Sequence, residues 1–168
     1  MMRIPRRGSA GFTLVELLMV VAIIAILVAI AVPNLLTAIN RARQKRTISA
    51  IRNIASAWEA RAIDTSGYNA SAATFPWPAV PVSFGDLQGL LTPDYIKSLP
   101  QEDGWGTDLE FACDLASAAQ IYGIRSAAYD KEFDSDTYTV GLTSALACDI
   151  VYSNGVFIAY PQEGMGNN

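Results

Sequence analysis

From Phe12 to Val32 every position is apolar except Thr13 and Glu16. As a helix this run rises roughly 31 Å at about 1.5 Å per residue, close to the ~30 Å hydrocarbon thickness of a bilayer. Beyond Pro33 and Asn34 the pattern changes. Ile48, Ile51, Ala55, Trp58 and Ala62 recur at steps of three and four, which puts them on one helical face, while Arg46, Arg52, Glu59 and Arg61 point elsewhere. The spacing predicts one helix from Phe12 to about Ala62, membrane-spanning in its first half and packed on a domain in its second. Pro33 lacks a backbone donor and crowds the preceding turn, so a kink or local loosening is predicted there. Helical signals stop at Asp64-Thr65-Ser66-Gly67, with Gly67 as breaker.

The period then shortens. Asn69 to Ser83, with Phe75-Pro76-Trp77-Pro78 and Pro81, reads as a loop held by aromatic anchors, Trp77 being packed rather than ligand-binding. Phe84 to Leu91 reads as a short helical turn or two. Alternation at Leu109–Ala112, Gln120–Arg125 and Thr137–Val140 predicts strands, and Ile150–Tyr152 and Val156–Tyr160 flank an Asn154-Gly155 hairpin turn. The fold class that follows is α+β, a long helix covering a small antiparallel sheet of three to five strands, with one sheet face on Ile51 and Trp58.

With 168 residues and 51 % apolar content, the chain has room for one membrane helix and one small domain. The net charge of −4 hides a segregation. Arg41, Arg43, Lys45, Arg46, Arg52 and Arg61 face only Glu59 in the helix, whereas of the 16 acids only Glu16 and Glu59 precede Ile63. A basic helix and an acidic head suit contacts between stacked subunits or with anionic headgroups, and the acidic head argues against nucleic acid. Histidine is absent. That removes histidine triads and histidine metal sites, and leaves Cys113 and Cys148 without an activating imidazole. In an oxidising compartment those two cysteines are expected to bridge, stabilising a small domain by roughly 3–4 kcal/mol. Asp130, Glu132, Asp134 and Asp136 alternate before the Thr137 strand. Such oxygen ligands suit a hard cation, with Asp130 and Asp134 first and Asp136 third, although the spacing lacks the EF-hand glycine and terminal glutamate.

Arg3, Arg6 and Arg7 precede the apolar run without an acid, which by the positive-inside tendency keeps the N-terminus cytoplasmic and sends the head across. Glu16 then sits about a turn inside the apolar layer, where a lone carboxylate costs a few kcal/mol and nothing else in the segment is expected to pair with it. An ordinary secretory signal ending at Ala29-Ile30-Ala31, or a plain signal anchor, leaves Glu16 unexplained.

Gly11-Phe12-Thr13-Leu14-Val15-Glu16-Leu17, behind its basic leader, resembles the class III signal of type IV pilins and type II secretion pseudopilins. Leu99-Pro100 followed by Asp103-Gly104-Trp105-Gly106 resembles a signature of the major, G-type pseudopilins, with Gly104 where that family usually has proline. The resemblance implies the pilin fold and the following division: a cleaved leader at 1–11, a transmembrane and filament-core helix at 12–33, its amphipathic half at 34–63, an αβ-loop at 64–108, and the sheet with the C-terminal region at 109–168. It implies cleavage between Gly11 and Phe12 and N-methylation of Phe12 by a prepilin peptidase. It assigns assembly roles to Glu16 and Pro33, the Phe12 amine of a neighbouring subunit being the partner that Glu16 lacks. The implied partners are further copies or related pilins, an assembly ATPase, an inner-membrane platform protein and the membrane itself. No cofactor is required by this reading, and calcium is the one ion the family binds in a loop of comparable position. The implied function is structural, not enzymatic: a subunit of a periplasmic secretion pseudopilus, with a surface type IV pilus subunit or a membrane-anchored extracytoplasmic binding domain as alternatives.

Overall fold

The computed structural model describes residues 11–65, 74–77, 80–113, 121–143 and 146–161. The basic leader, the Gly67 helix stop and Pro78 lie outside these residues. Helix α1, Leu14–Thr65, carries the chain through Pro33 without interruption of its helical assignment. Around the proline, Asn34 Nδ2 donates to the Ile30 carbonyl (3.2 Å) and Thr37 Oγ1 to the Pro33 carbonyl (3.0 Å). Contacts divide the chain into two units, Met1–Ile39 and Asn40–Asn168. The first is the apolar helix, whose large side chains from Phe12 to Ile39 are exposed on every face. A helix that is hydrophobic all round has its burial supplied by something outside the chain.

The second unit has its own core. After α1 come β1 (Thr74–Pro76), β2 (Val80–Val82), α2 (Phe84–Leu91), β3 (Glu110–Cys113), β4 (Tyr122–Ser126), β5 (Thr137–Thr139), β6 (Gly141–Thr143), β7 (Ile150–Ser153) and β8 (Val156–Pro161). Six strands form a sheet in the order β2-β3-β4-β7-β8-β6, and β1 pairs with β5 separately. The α+β class and the long helix match the sequence reading. The sheet is larger than expected and mixed, because β6 runs parallel to β8. Neither β1 nor β2 stands out in the sequence, since Pro76 and Pro81 weigh against strands. β2 lies at a sheet edge, where a missing donor is tolerated. β6 is only Gly141–Thr143, too short for alternation to show.

On α1 the buried stripe is Thr47, Ile51, Ile54, Ala55 and Ala57, with Ile48 and Trp58 packed at its margin. It meets Leu87 and Leu91 of α2 and Phe111, Ile124, Ile150 and Tyr152 of the sheet. Ser83 caps α2 by accepting from the Asp86 amide (3.1 Å). The Trp58 and Tyr122 ring centres lie 4.8 Å apart. At the hairpin turn Asn154 and Gly155 take positive φ (45° and 88°), as a type I′ turn requires. β4 is buried at every position because both its faces are covered. Tyr122 and Ile124 face α1, while Arg125 joins the second cluster, around Tyr138, Val151, Ile158 and Trp77.

The structure holds no bridge between Cys113 and Cys148. Cys113 pairs with Tyr122 on β4, and Cys148 precedes Ile150, which pairs with Ser126 at the other end of β4. With β4 between them, the two cysteines are separated by two strand steps, roughly 9–10 Å, and by the length of β4, roughly 13 Å. A disulfide needs Cα atoms within about 7 Å. Sequence separation alone could not show that a strand intervenes.

Candidate functional site

The first site is the start of α1. Gly11, Phe12 and Thr13 precede the helix and are exposed. Thr13 is its N-cap: its Oγ1 accepts from the Glu16 amide (3.2 Å), and Glu16 Oε2 accepts in return from the Thr13 amide (2.9 Å) and hydroxyl (2.7 Å). This is a capping box, Thr-x-x-Glu, that satisfies backbone donors the helix cannot. The expectation that nothing in the segment pairs with Glu16 is therefore corrected. Thr13 is the residue of this site that the sequence reading passed over, although its spacing from Glu16 is the signal that would have found it. A Cβ added at Gly11 would meet no atom within 4 Å, so the fold itself does not demand glycine there.

The second site is the loop carrying the secretion-type signature. Asp103 is 3 % exposed; its Oδ1 accepts from the amides of Trp105 (2.8 Å) and Thr107 (3.0 Å), and its Oδ2 from Ser126 Oγ (2.7 Å). The Gly104 amide donates to Thr47 Oγ1 on α1 (2.8 Å). A Cβ on Gly104 would fall 2.2 Å from the Arg43 carbonyl oxygen. Glycine at 104 therefore brings loop and helix backbone together, and proline would remove the donor. Trp105 and Leu99 lie in the core. This loop is structural.

The third is the acidic loop between β4 and β5. Its carboxylates are not brought together as a trio. Asp130 Oδ1 accepts from the Glu132 amide (3.3 Å), and Asp136 Oδ1 lies 3.3 Å from Arg125 Nη1. Asp134 instead meets Asp149, whose Oδ2 accepts from the Asp134 amide (2.9 Å) and from the Tyr138 hydroxyl (2.7 Å). Asp149 is 2 % exposed, and burial pushes its carboxyl above the usual carboxylate range. Burial and the neighbouring Asp149 likewise hold the Tyr138 phenol above its ordinary value. No group of three metal-ligating side chains converges among the described residues.

The family with the prokaryotic N-terminal methylation motif matches over residues 6–32. Type II secretion system core protein G of Klebsiella michiganensis is 32 % identical over 109 residues, 62 % of this chain and 74 % of that protein. The protein of the same description from Vibrio cholerae is 33 % identical over 117 residues, 62 % of this chain and 71 % of its own. A major component of a Thermus thermophilus type IV wide pilus is 42 % identical over 67 residues, 40 % of this chain and 51 % of that one. No solved structure matches. With its methylation motif, long helix that is apolar in its first half, and helix-backed sheet, the molecule has the features of a pilin-like subunit. The chain belongs to the pilin and pseudopilin family, in the branch of the type II secretion core protein G.

Proposed function

We propose that the chain is a structural subunit of a type II secretion pseudopilus, held in the membrane before assembly by the first half of α1. The observation that carries this is a helix exposed and apolar on every face, beginning at a motif whose glycine the fold does not need. A residue required by no internal contact is read from outside, and cleavage between Gly11 and Phe12 by a prepilin peptidase accounts for it. The new amine at Phe12 is then available to a neighbour's Glu16, and pairing two charges in an apolar filament core offsets their desolvation. Pro33, inside the same helix, belongs to the filament core. An assembly ATPase and a platform protein complete the machinery, with the head on the periplasmic side. The family to which the relatives belong is one of structural pilins and pseudopilins.

In cells, Glu16→Ala is expected to be cut normally, with a methylated Phe12 found by mass spectrometry of the mature N-terminus. It is expected to abolish exoprotein release and to reduce release when coexpressed with the unaltered chain. Normal release by the variant overturns the assignment. The Thermus relative supports a second reading, a type IV pilus subunit; abundant surface fibres of this chain in unmodified cells, with release intact after its deletion, favour that one.

A further inference from the structure

The loop from 127 to 136 carries the carboxylates matched to calcium by resemblance, yet the structure fills their surroundings with a charge of the chain's own. Arg125 projects from β4 on the face away from α1 and is 7 % exposed. Its guanidinium lies 4.2 Å from the Trp77 ring centre and 3.9 Å from that of Phe133. Nε (2.9 Å) and Nη2 (2.8 Å) both reach Glu110 Oε2. Nη1 lies within 3.3 Å of the Ser135 carbonyl, Asp136 Oδ1 and the Tyr138 hydroxyl. The structure assigns to Arg125 the role of an internal cation that orders residues 128–136, in place of a calcium ion bound from solution.

Calcium takes six to eight oxygens, whereas the Ser135 carbonyl and one carboxylate oxygen of Asp136, the third candidate ligand, already face the guanidinium. A divalent ion among them would sit against a fixed positive charge and be repelled. Of the other carboxylates, Asp134 and Asp149 are reciprocally bonded through backbone amides, Asp130 accepts from the Glu132 amide, and no three of these side chains converge among the described residues. The one buried carboxylate oxygen without a hydrogen bond among the described residues, Asp149 Oδ1, is not enough to build a coordination shell. Finally, the planar guanidinium is matched to its two flanking rings in a way that a compact ammonium or a hydrated metal is not. The loop it fixes contains Ala128 and Lys131 at positive φ (55° and 65°), conformations that persist only where surroundings impose them.

The full-length protein in detergent tests this, independently of the filament reading. Limited proteolysis mapped by mass spectrometry, and the melting temperature, are followed in calcium chloride and in a calcium chelator for the unaltered chain, Arg125→Gln and Arg125→Lys. The unaltered chain is expected to be indifferent to calcium. Arg125→Gln is expected to be cut within 127–137 at least about tenfold faster, because cleavage follows the open population of the loop, and Arg125→Lys to fall between. Should Arg125→Gln not accumulate, Glu110→Gln combined with Asp136→Asn removes the ion pairs while keeping the stacked guanidinium, and the same faster cleavage is expected. A calcium-induced rise in melting temperature or protection of the unaltered chain overturns the proposal, as does a loop equally protected in the variants.

Discussion

Gly104 shows how one residue can join two elements. The close approach of its Cα to the Arg43 carbonyl, and its amide bond to Thr47, seat the signature loop on α1. Gly104→Ala is expected to cost about 1–3 kcal/mol or more, as other small-to-large changes in packed sites do, and urea unfolding measures it. Thr47→Val should cost about 1–2 kcal/mol by leaving the Gly104 amide without its acceptor. Tyr122 makes a different prediction. Burial first, and its hydrogen bond to Glu59 second, raise its phenol well above the ordinary value of 10.0. Because the folded value is raised, this contribution to stability is complete below about pH 10 and is lost as pH rises beyond it. The urea midpoint should therefore fall above about pH 10, more steeply in the unaltered chain than in Tyr122→Phe.

Among the elements, those with a local signal were legible from sequence: α1, α2, β3, β4, β5, β7, β8 and the Asn154-Gly155 turn. The turn is tied to its neighbour strand, since Asn154 Oδ1 accepts from the Tyr122 amide (3.1 Å) and Ser153 Oγ donates to the Tyr122 carbonyl (2.7 Å). Gly155→Ala should cost about 1 kcal/mol, because a Cβ is strained at its φ of 88°. What escaped the sequence were pairings fixed by distant partners. β1 and β2 carry prolines and exist because β5 and β3 accept them. β6 is a strand only through β8. The same limit hid the separation of Cys113 and Cys148 by β4. A melting temperature unchanged by reductant, with two thiols found by mass mapping, is the expected result for a head whose stability does not depend on a bridge.

For the whole molecule, the two units divide the labour. Among the described residues every buried side chain lies at Thr47 or later, so residues 40–168 should fold cooperatively and stay soluble and monomeric, measured by thermal unfolding and sedimentation. Sequence reached the site at the start of α1 more fully than the head, because a carboxylate in an apolar run is visible without a fold. What it missed there was the local partner. In the lone subunit Glu16 is already a satisfied acceptor, with Thr13 supplying two donors. If Glu16 pairs with a neighbour's amine as proposed, it exchanges one partner for another, and the gain at this residue is only the difference between them. A subunit set free of such a fibre would regain the Thr13 cap with no other change at Glu16.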